Sequence, residues 1–131
     1  MKPQINADGR GLEEITGRII GRAYTVSNTL GCGFLEKVYE NALVHELRKA
    51  GFEVDQQKSL KVMYDGILVG EYIVDILVQG IIILEVKAVK ILDEIHVAQC
   101  LNYLKATGLK LCLLVNFGVP KVAVKRIVNN L

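Results

Sequence analysis

The chain has 131 residues, of which 51% are apolar, enough for one domain with a substantial core. Its formal net charge of +2 does not indicate a strongly basic nucleic-acid-binding protein, although it permits a local basic patch. The three cysteines form no Cys-x-x-Cys pair, which argues against a disulfide framework or a structural zinc site and favours a reducing, cytoplasmic environment. We expect no signal peptide and no membrane span, because the apolar runs are too short.

The chain is predicted to begin with a flexible lead, residues 1–11, followed by a single domain over residues 12–131. The first helix of this domain carries apolar residues at intervals of three and four, namely Leu12, Ile15, Ile19, Ala23, Val26 and Leu30. Such a stripe is typical of core. It is also the simplest candidate contact if the protein forms a homodimer or binds a protein partner. A second helix is predicted from Leu35 to Leu47, ending at Gly51.

After Gly51 the pattern changes to that of strands. Residues 60–69 are expected to form a hairpin around Asp65-Gly66, because this dipeptide readily adopts the positive φ angles of a tight turn. The remaining elements are two strands, a helix closed by Gly108, a buried strand and a weakly alternating basic tail, at residues 72–78, 81–88, 93–107, 109–116 and 121–128. This order predicts a mixed α/β domain with helices packed on one central sheet.

The feature that bears most on function is Asp75 on one apolar strand and Glu85 and Lys87 on the next. Buried charges are costly unless they are paired or bind a metal. Glu85 and Lys87 project from the same face, because they are two residues apart. A two-residue turn would place Asp75 one position out of register with Glu85, whereas a three-residue loop centred on Gly80, or a bulge, would place them opposite each other. We predict the second register, since glycine supplies the required positive φ.

In that register the two carboxylates lie roughly 5 Å apart, and like charges so close favour a divalent cation between them. Oxygen ligands without a histidine or thiolate cluster indicate Mg²⁺ or Mn²⁺ rather than zinc. Lys87 could orient or deprotonate a water, or stabilise charge on a phosphate. Hydrolysis of a phosphodiester would use all three side chains. The alternative is a satisfied ion cluster on a partly exposed sheet face, and spacing alone does not decide between the two.

Five stretches resemble the PD-(D/E)xK nuclease superfamily, and the resemblance is closest to the small bacterial GxxExxR proteins assigned to it. They are Gly33-Phe-Leu-Glu-Lys-Val-Tyr39, Val74-Asp-Ile-Leu-Val78, Leu84-Glu-Val-Lys-Ala88, Gln99-Cys-Leu-Asn-Tyr-Leu104 and Leu113-Leu-Val-Asn-Phe-Gly118. The resemblance covers about residues 12 to 128. The family name ends in arginine, whereas Tyr39 stands three residues after Glu36 here, so no role for an arginine carries over to this position.

The resemblance implies a restriction-endonuclease-like core, with a central mixed sheet, the order αβββαβ and flanking helices. It implies a divalent-metal-dependent nuclease acting on nucleic acid, with DNA ahead of RNA and Mg²⁺ or Mn²⁺ as cofactor. Asp75 and Glu85 would bind the metal, and Lys87 would serve catalysis. The superfamily's helical glutamate maps onto Glu36, as a further ligand, and its glutamine onto Gln99. The alternative is a module on the same fold that binds nucleic acid or protein without cutting.

Three other polar side chains fall on the predicted helices. Glu40 shares a helix face with Glu36, and we expect it to be a solvated surface acid. Glu46 lies within an apolar stripe, so we expect it to have a structural partner such as a cation. His96 is expected at an exposed or rim position.

Overall fold

The computed structural model describes residues 10–129, which form a five-stranded mixed sheet with helices on both faces. The helices are α1 (Arg10–Leu30), α2 (Glu36–Lys49) and α3 (Glu94–Thr107), and the strands are β1 (Val54–Tyr64), β2 (Ile67–Val78), β3 (Ile82–Lys87), β4 (Leu111–Asn116) and β5 (Ala123–Val128). The strands lie in the order β1-β2-β3-β4-β5, and β3 and β4 are the parallel pair of this sheet. The predicted fold class and the predicted order of elements are confirmed.

The predicted N-terminal lead falls mostly on residues 1–9, which lie outside the described residues. Helix α1 begins at Arg10, two residues before the predicted start of the domain. In residues 10–129 no helix combines the length and the apolar character that a bilayer crossing requires.

The sheet separates two apolar clusters. Helices α1 and α2 pack on one face and α3 packs on the other. Four residues of the α1 stripe are almost completely buried in the first cluster, namely Ile15, Ile19, Ala23 and Val26. The prediction that this stripe contacts a second copy or another protein is therefore wrong, because the sheet and α2 already cover the stripe.

Helix α3 begins with a cap that uses a predicted rim residue. The Asp93 carboxylate accepts a hydrogen bond from the Ile95 amide at 3.2 Å, and Nδ1 of His96 accepts one from the Asp93 amide at 3.1 Å. These bonds satisfy backbone donors that a helix N-terminus leaves free. His96 is half-buried and has this structural role.

Strands β1 and β2 form a long antiparallel hairpin of 11 and 12 residues. Asp65 and Gly66 have φ angles of 55° and 76°, which confirms the predicted tight turn. The hairpin is longer than expected, because β2 runs without interruption from the turn to Val78. Large apolar side chains at the far end of the hairpin are exposed, among them Tyr64, Ile67 and Leu68.

Candidate active site

The loop between β2 and β3 decides which side chains meet. The two strands pair as far as Ile76 and Leu84, and a three-residue loop centred on Gly80 connects them. Gly80 has a φ angle of 68°, in the left-handed region that glycine tolerates. One residue beyond the Ile76–Leu84 pair, the same register sets Asp75 opposite Glu85. The predicted register is confirmed.

At this point carboxylates replace the regular backbone ladder. The Asp75 amide donates a hydrogen bond to Oε2 of Glu85 at 2.7 Å, and the Val86 amide donates one to Oδ2 of Asp75 at 2.8 Å. Each acid thus accepts an N–H group from the opposite strand, where the backbone pairing has ended. These bonds offset part of the cost of placing carboxylates in apolar strands.

Side chains along β2 change sides at Asp75. Val74 packs in the cluster with α3, whereas Ile76 packs in the cluster with α1 and α2. In a regular strand two residues that are two apart would share a face. The residue opposite Asp75 on β1 is Gln57, which has a φ angle of 54°, uncommon for a residue with a Cβ. The backbone is therefore irregular on both strands at the position of the acid.

The two carboxyl groups are held in an environment that disfavours their ionised forms. Burial raises the pKa of Glu85 to about 7, and the negative charge of Asp75 adds to this increase. Burial likewise raises the pKa of Asp75, and the charge of Glu40 contributes in the same direction. The Lys87 ammonium lowers the pKa of both acids, but burial outweighs it. A cation placed between the acids would relieve this imbalance.

Lys87 is held in place at the end of β3. The Phe117 amide donates a hydrogen bond to the Lys87 carbonyl oxygen at 2.8 Å. Two residues further along, the Asn116 side chain accepts from the Val89 amide at 3.0 Å and donates to the Val89 carbonyl oxygen at 2.9 Å. The backbone on both sides of Ala88 is therefore tied to β4 and the residue that follows it. Lys87 itself is half-buried, beside the acid pair as the sequence predicted.

The two glutamates near the start of α2 lie in different environments, and the role of Glu36 as a metal ligand stays a prediction. Glu40 is 4% exposed, so its interpretation as a solvated surface acid is wrong. Glu36 is exposed, although its charge still raises the pKa of Asp75, after the larger effects of burial and Glu40. Spacing contained a signal for the burial of Glu40, because it lies three and four residues before Leu43 and Val44, which are buried.

Glutamines connect Glu40 to the acid pair. Oε2 of Glu40 accepts hydrogen bonds from Nε2 of Gln56 at 2.6 Å and from Nε2 of Gln57 at 3.0 Å, and it pairs with the Lys37 ammonium at 3.0 Å. The same Gln57 nitrogen lies 3.5 Å from Oδ1 of Asp75. Sequence reasoning missed Glu40 and Gln57 as neighbours of the site, because their contact depends on how α2 packs over β1.

Helix α3 approaches the site through a different residue from the one expected. Tyr103 is almost fully buried, and burial together with the Glu85 charge raises the pKa of its hydroxyl. Gln99 lies one turn nearer the helix N-terminus and is exposed. Within residues 10–129 no hydrogen bond joins Gln99 to Asp75 or Glu85, so its place in the site remains a prediction.

Glu46 contacts Arg22 and Lys49 and has the predicted structural partners.

The donor set of this site suits a hard divalent cation. Asp75 and Glu85 each use one carboxylate oxygen for a backbone N–H group, which leaves Oδ1 and Oε1 as candidate ligands. In the described part of the chain, no three His, Cys, Asp or Glu side chains form a preformed metal cage. Magnesium commonly binds through one or two carboxylates, with water and substrate phosphates completing its octahedron. A pair of acids is therefore sufficient for this kind of site.

Known proteins are similar to this chain in sequence and in fold. Residues 13–127 match the family model of the PD-(D/E)XK nuclease superfamily. No curated protein matches the chain. The crystal structure of SSO0001 has a similar fold, with a TM-score of 0.57 and 18% sequence identity. The match covers 93% of this chain and 61% of SSO0001, so this chain spans less than two thirds of the length of SSO0001. An alkaline exonuclease (LHK-Exo) from Laribacter hongkongensis has a TM-score of 0.43 and 14% identity over 91% of this chain and 82% of that chain. Because the family model covers almost the whole sequence, the chain belongs to the PD-(D/E)XK nuclease superfamily.

Proposed function

We propose that the protein is a divalent-metal-dependent nuclease that hydrolyses phosphodiester bonds of nucleic acid, with Asp75, Glu85 and Lys87 as its central residues. The observation that carries this proposal is the pair of acids placed opposite each other where β2 and β3 stop pairing. The superfamily match supports a nuclease-type activity. The metal and its identity are part of the proposal.

The side chains have separate roles in this proposal. Asp75 and Glu85 would hold Mg²⁺ or Mn²⁺, with Glu36 as a further ligand, and Glu40 would add negative charge on the α2 side. When bound, such a metal would supply Lewis acidity at a phosphoryl oxygen and would lower the pKa of a water that it binds. Lys87 donates hydrogen bonds to the phosphate or to the attacking water, and it offsets negative charge that develops during hydrolysis. Gln99 supports the substrate from α3.

Membership of the GxxExxR branch remains a prediction, and the structure explains the residue that departs from its pattern. The Tyr39 hydroxyl donates a hydrogen bond to the Gly31 carbonyl oxygen at 2.6 Å and accepts one from the Phe34 amide at 3.2 Å. Its ring stacks on Phe117 with centroids 4.8 Å apart. Tyr39 therefore holds the loop before α2 from a buried position, where a charged arginine would lack these contacts.

Cleavage assays with matched variants test the proposal. Wild type, Asp75→Asn and Lys87→Ala are compared on single- and double-stranded DNA and RNA, with Mg²⁺, Mn²⁺ or chelator. Asp55→Asn and Lys90→Ala are the controls, because both residues are exposed and lie outside the acid pair. We expect metal-dependent cleavage by wild type and both controls, and loss of roughly 100-fold or more in both site variants.

Two results would contradict the proposal. Cleavage that persists in both Asp75→Asn and Lys87→Ala would show that these residues do not form the active site. Binding of nucleic acid without cleavage of any substrate, by a folded protein at saturating metal, would favour the non-cutting module instead. Cleavage of RNA in preference to DNA would leave the chemistry intact and correct the substrate.

A further inference from the structure

A groove lies between the β1–β2 hairpin and helix α3. It has a volume of about 400 Å³, within the range of sites that hold small organic ligands. The hairpin and the helix each contribute three residues to its walls, which are Val62, Met63, Tyr72, Asn102, Lys105 and Ala106. We call the space between these six residues the α3 groove.

The walls of the α3 groove combine aromatic, apolar, cationic and amide side chains. Tyr72 is 41% exposed, and Met63 adds an exposed apolar side chain. Lys105 is an exposed cation, and Asn102 is an exposed amide that can both donate and accept hydrogen bonds. In the described part of the chain no carboxylate lines the groove. An aromatic ring beside a cation and an amide matches the base, the phosphate and the polar base edge of a nucleotide.

Tyr72 connects the α3 groove to the acid pair. It precedes Asp75 by three residues on β2, which corresponds to roughly 10 Å along the strand. Its ring contacts that of Tyr103, with centroids 5.4 Å apart and an interplanar angle of 67°. Burial raises the pKa of the Tyr103 hydroxyl and the charge of Glu85 adds to the increase, so Tyr103 borders both the groove and the acids. A nucleic-acid strand with one phosphate at the acid pair would therefore bring a nearby nucleotide to the groove.

We propose that the α3 groove holds an unpaired nucleotide of the substrate strand, with its base stacked on Tyr72 and a phosphate beside Lys105. This proposal rests on the proposed nuclease function and adds the substrate class, a nucleic acid with a single-stranded stretch. The bases of an intact duplex stack on each other, so they reach a side chain only after they are unpaired. Phosphate contacts alone would not favour a single strand, because both forms carry phosphates.

Strand β1 places a second cation on this side of the sheet. Leu60 pairs with Tyr72 and packs in the cluster with α3. Lys58 is two residues before Leu60 in a regular stretch of β1, so it projects from the same face. Lys58 is exposed, and its partner on β2 is Val74, the residue before Asp75. Within residues 10–129 neither Lys58 nor Lys105 pairs with a carboxylate, so both are available to phosphates of a bound strand.

Fluorescence anisotropy with chelator present, which keeps the strand intact, tests the proposal. The probes are a labelled single strand of about 12 nucleotides, made as DNA and as RNA, and the same strands annealed to their complements. We expect wild type to bind the single strand more tightly than the duplex. Tyr72→Ala should weaken binding of the single strand roughly tenfold or more, whereas Tyr72→Phe keeps the ring and should bind like wild type. Lys105→Ala should reduce the slope of log affinity against log salt by about 0.7, the value for one phosphate contact.

Tyr24→Ala and Lys49→Ala are the matched controls, because Tyr24 packs against the cluster on the opposite face of the sheet and Lys49 lies on α2. Circular dichroism establishes that the variants are folded. If Tyr72→Ala is not, Tyr72→Leu replaces it, since leucine keeps an apolar contact with Tyr103 but has no ring on which a base can stack.

Two results would overturn the proposal: a wild type that binds duplex as tightly as single strand, or single-strand binding that the substitutions of Tyr72 by alanine and leucine leave unchanged. Binding is measured without metal and without cleavage. Weaker binding by Tyr72→Ala would therefore support the groove even if no substrate were cut. Cleavage by wild type together with unchanged binding by the variants would overturn the groove and leave the proposed nuclease function standing.

Discussion

Replacing Glu85 with glutamine should make the metal-free protein more stable above neutral pH. Burial raises the pKa of this carboxyl from its ordinary value of 4.5 to about 7 in the folded state. At a pH between these two pKa values, Glu85 keeps its proton in the folded protein but has released it in the unfolded chain. The stabilisation from this proton is complete below pH 4.5 and is lost as the pH rises through about 7.

The magnitude follows from the two pKa values. The interval from 4.5 to about 7, at about 1.4 kcal/mol per pH unit, corresponds to about 3 kcal/mol of stability lost by wild type. Glu85→Gln removes this dependence but weakens the hydrogen bond that the Asp75 amide donates, at a cost of about 1 kcal/mol. At pH 8 the variant should therefore be more stable than wild type by about 2 kcal/mol.

Urea denaturation with chelator present, at pH 5 and pH 8, measures this difference. The control is Glu71→Gln, an exposed acid on the neighbouring strand β2, which should behave like wild type at both pH values. If Glu85→Gln were less stable than wild type at pH 8, or if both proteins lost the same stability between pH 5 and pH 8, the assignment of a raised Glu85 pKa would be refuted.

Three further predictions concern the site and its support. At pH 8, millimolar Mg²⁺ or Mn²⁺ should raise the melting temperature of wild type, and Asp75→Asn should lose this shift; an equal shift in both would place the metal elsewhere. Glu40→Gln should reduce nuclease activity more than Glu36→Gln, because Glu40 is buried and bonded to Gln57 beside Asp75; steady-state cleavage rates compare the two. Gly118→Ala should lower the free energy of unfolding by about 1–3 kcal/mol, because an added Cβ overlaps the backbone that follows Lys87. Gly17→Ala on α1 has open space and should raise the free energy of unfolding by about 0.5–1 kcal/mol. Thermal melts in which both variants lose the same stability would contradict this.

Local patterns in the sequence predicted the elements and the central register. Asp65-Gly66 and Gly80 adopt the positive φ angles that their turns require, and these angles depend on the residues themselves. Because the side-chain period of a strand is two, the loop at Gly80 was enough to predict that Asp75 faces Glu85. A residue's own conformational preference and a short-range spacing decide such features, so the surrounding fold was not needed to find them.

The tertiary structure alone decided which surfaces are covered. The α1 stripe could have been core or contact, and packing against the sheet and α2 made it core. Glu40 is buried because α2 lies over β1, where Gln56 and Gln57 reach its carboxylate. Seven large apolar residues of the hairpin, between residues 63 and 73, are exposed, and their strand pattern does not predict this. Burial is a property of contacts between residues far apart in the chain, and periodicity along one element cannot specify which neighbour will cover it.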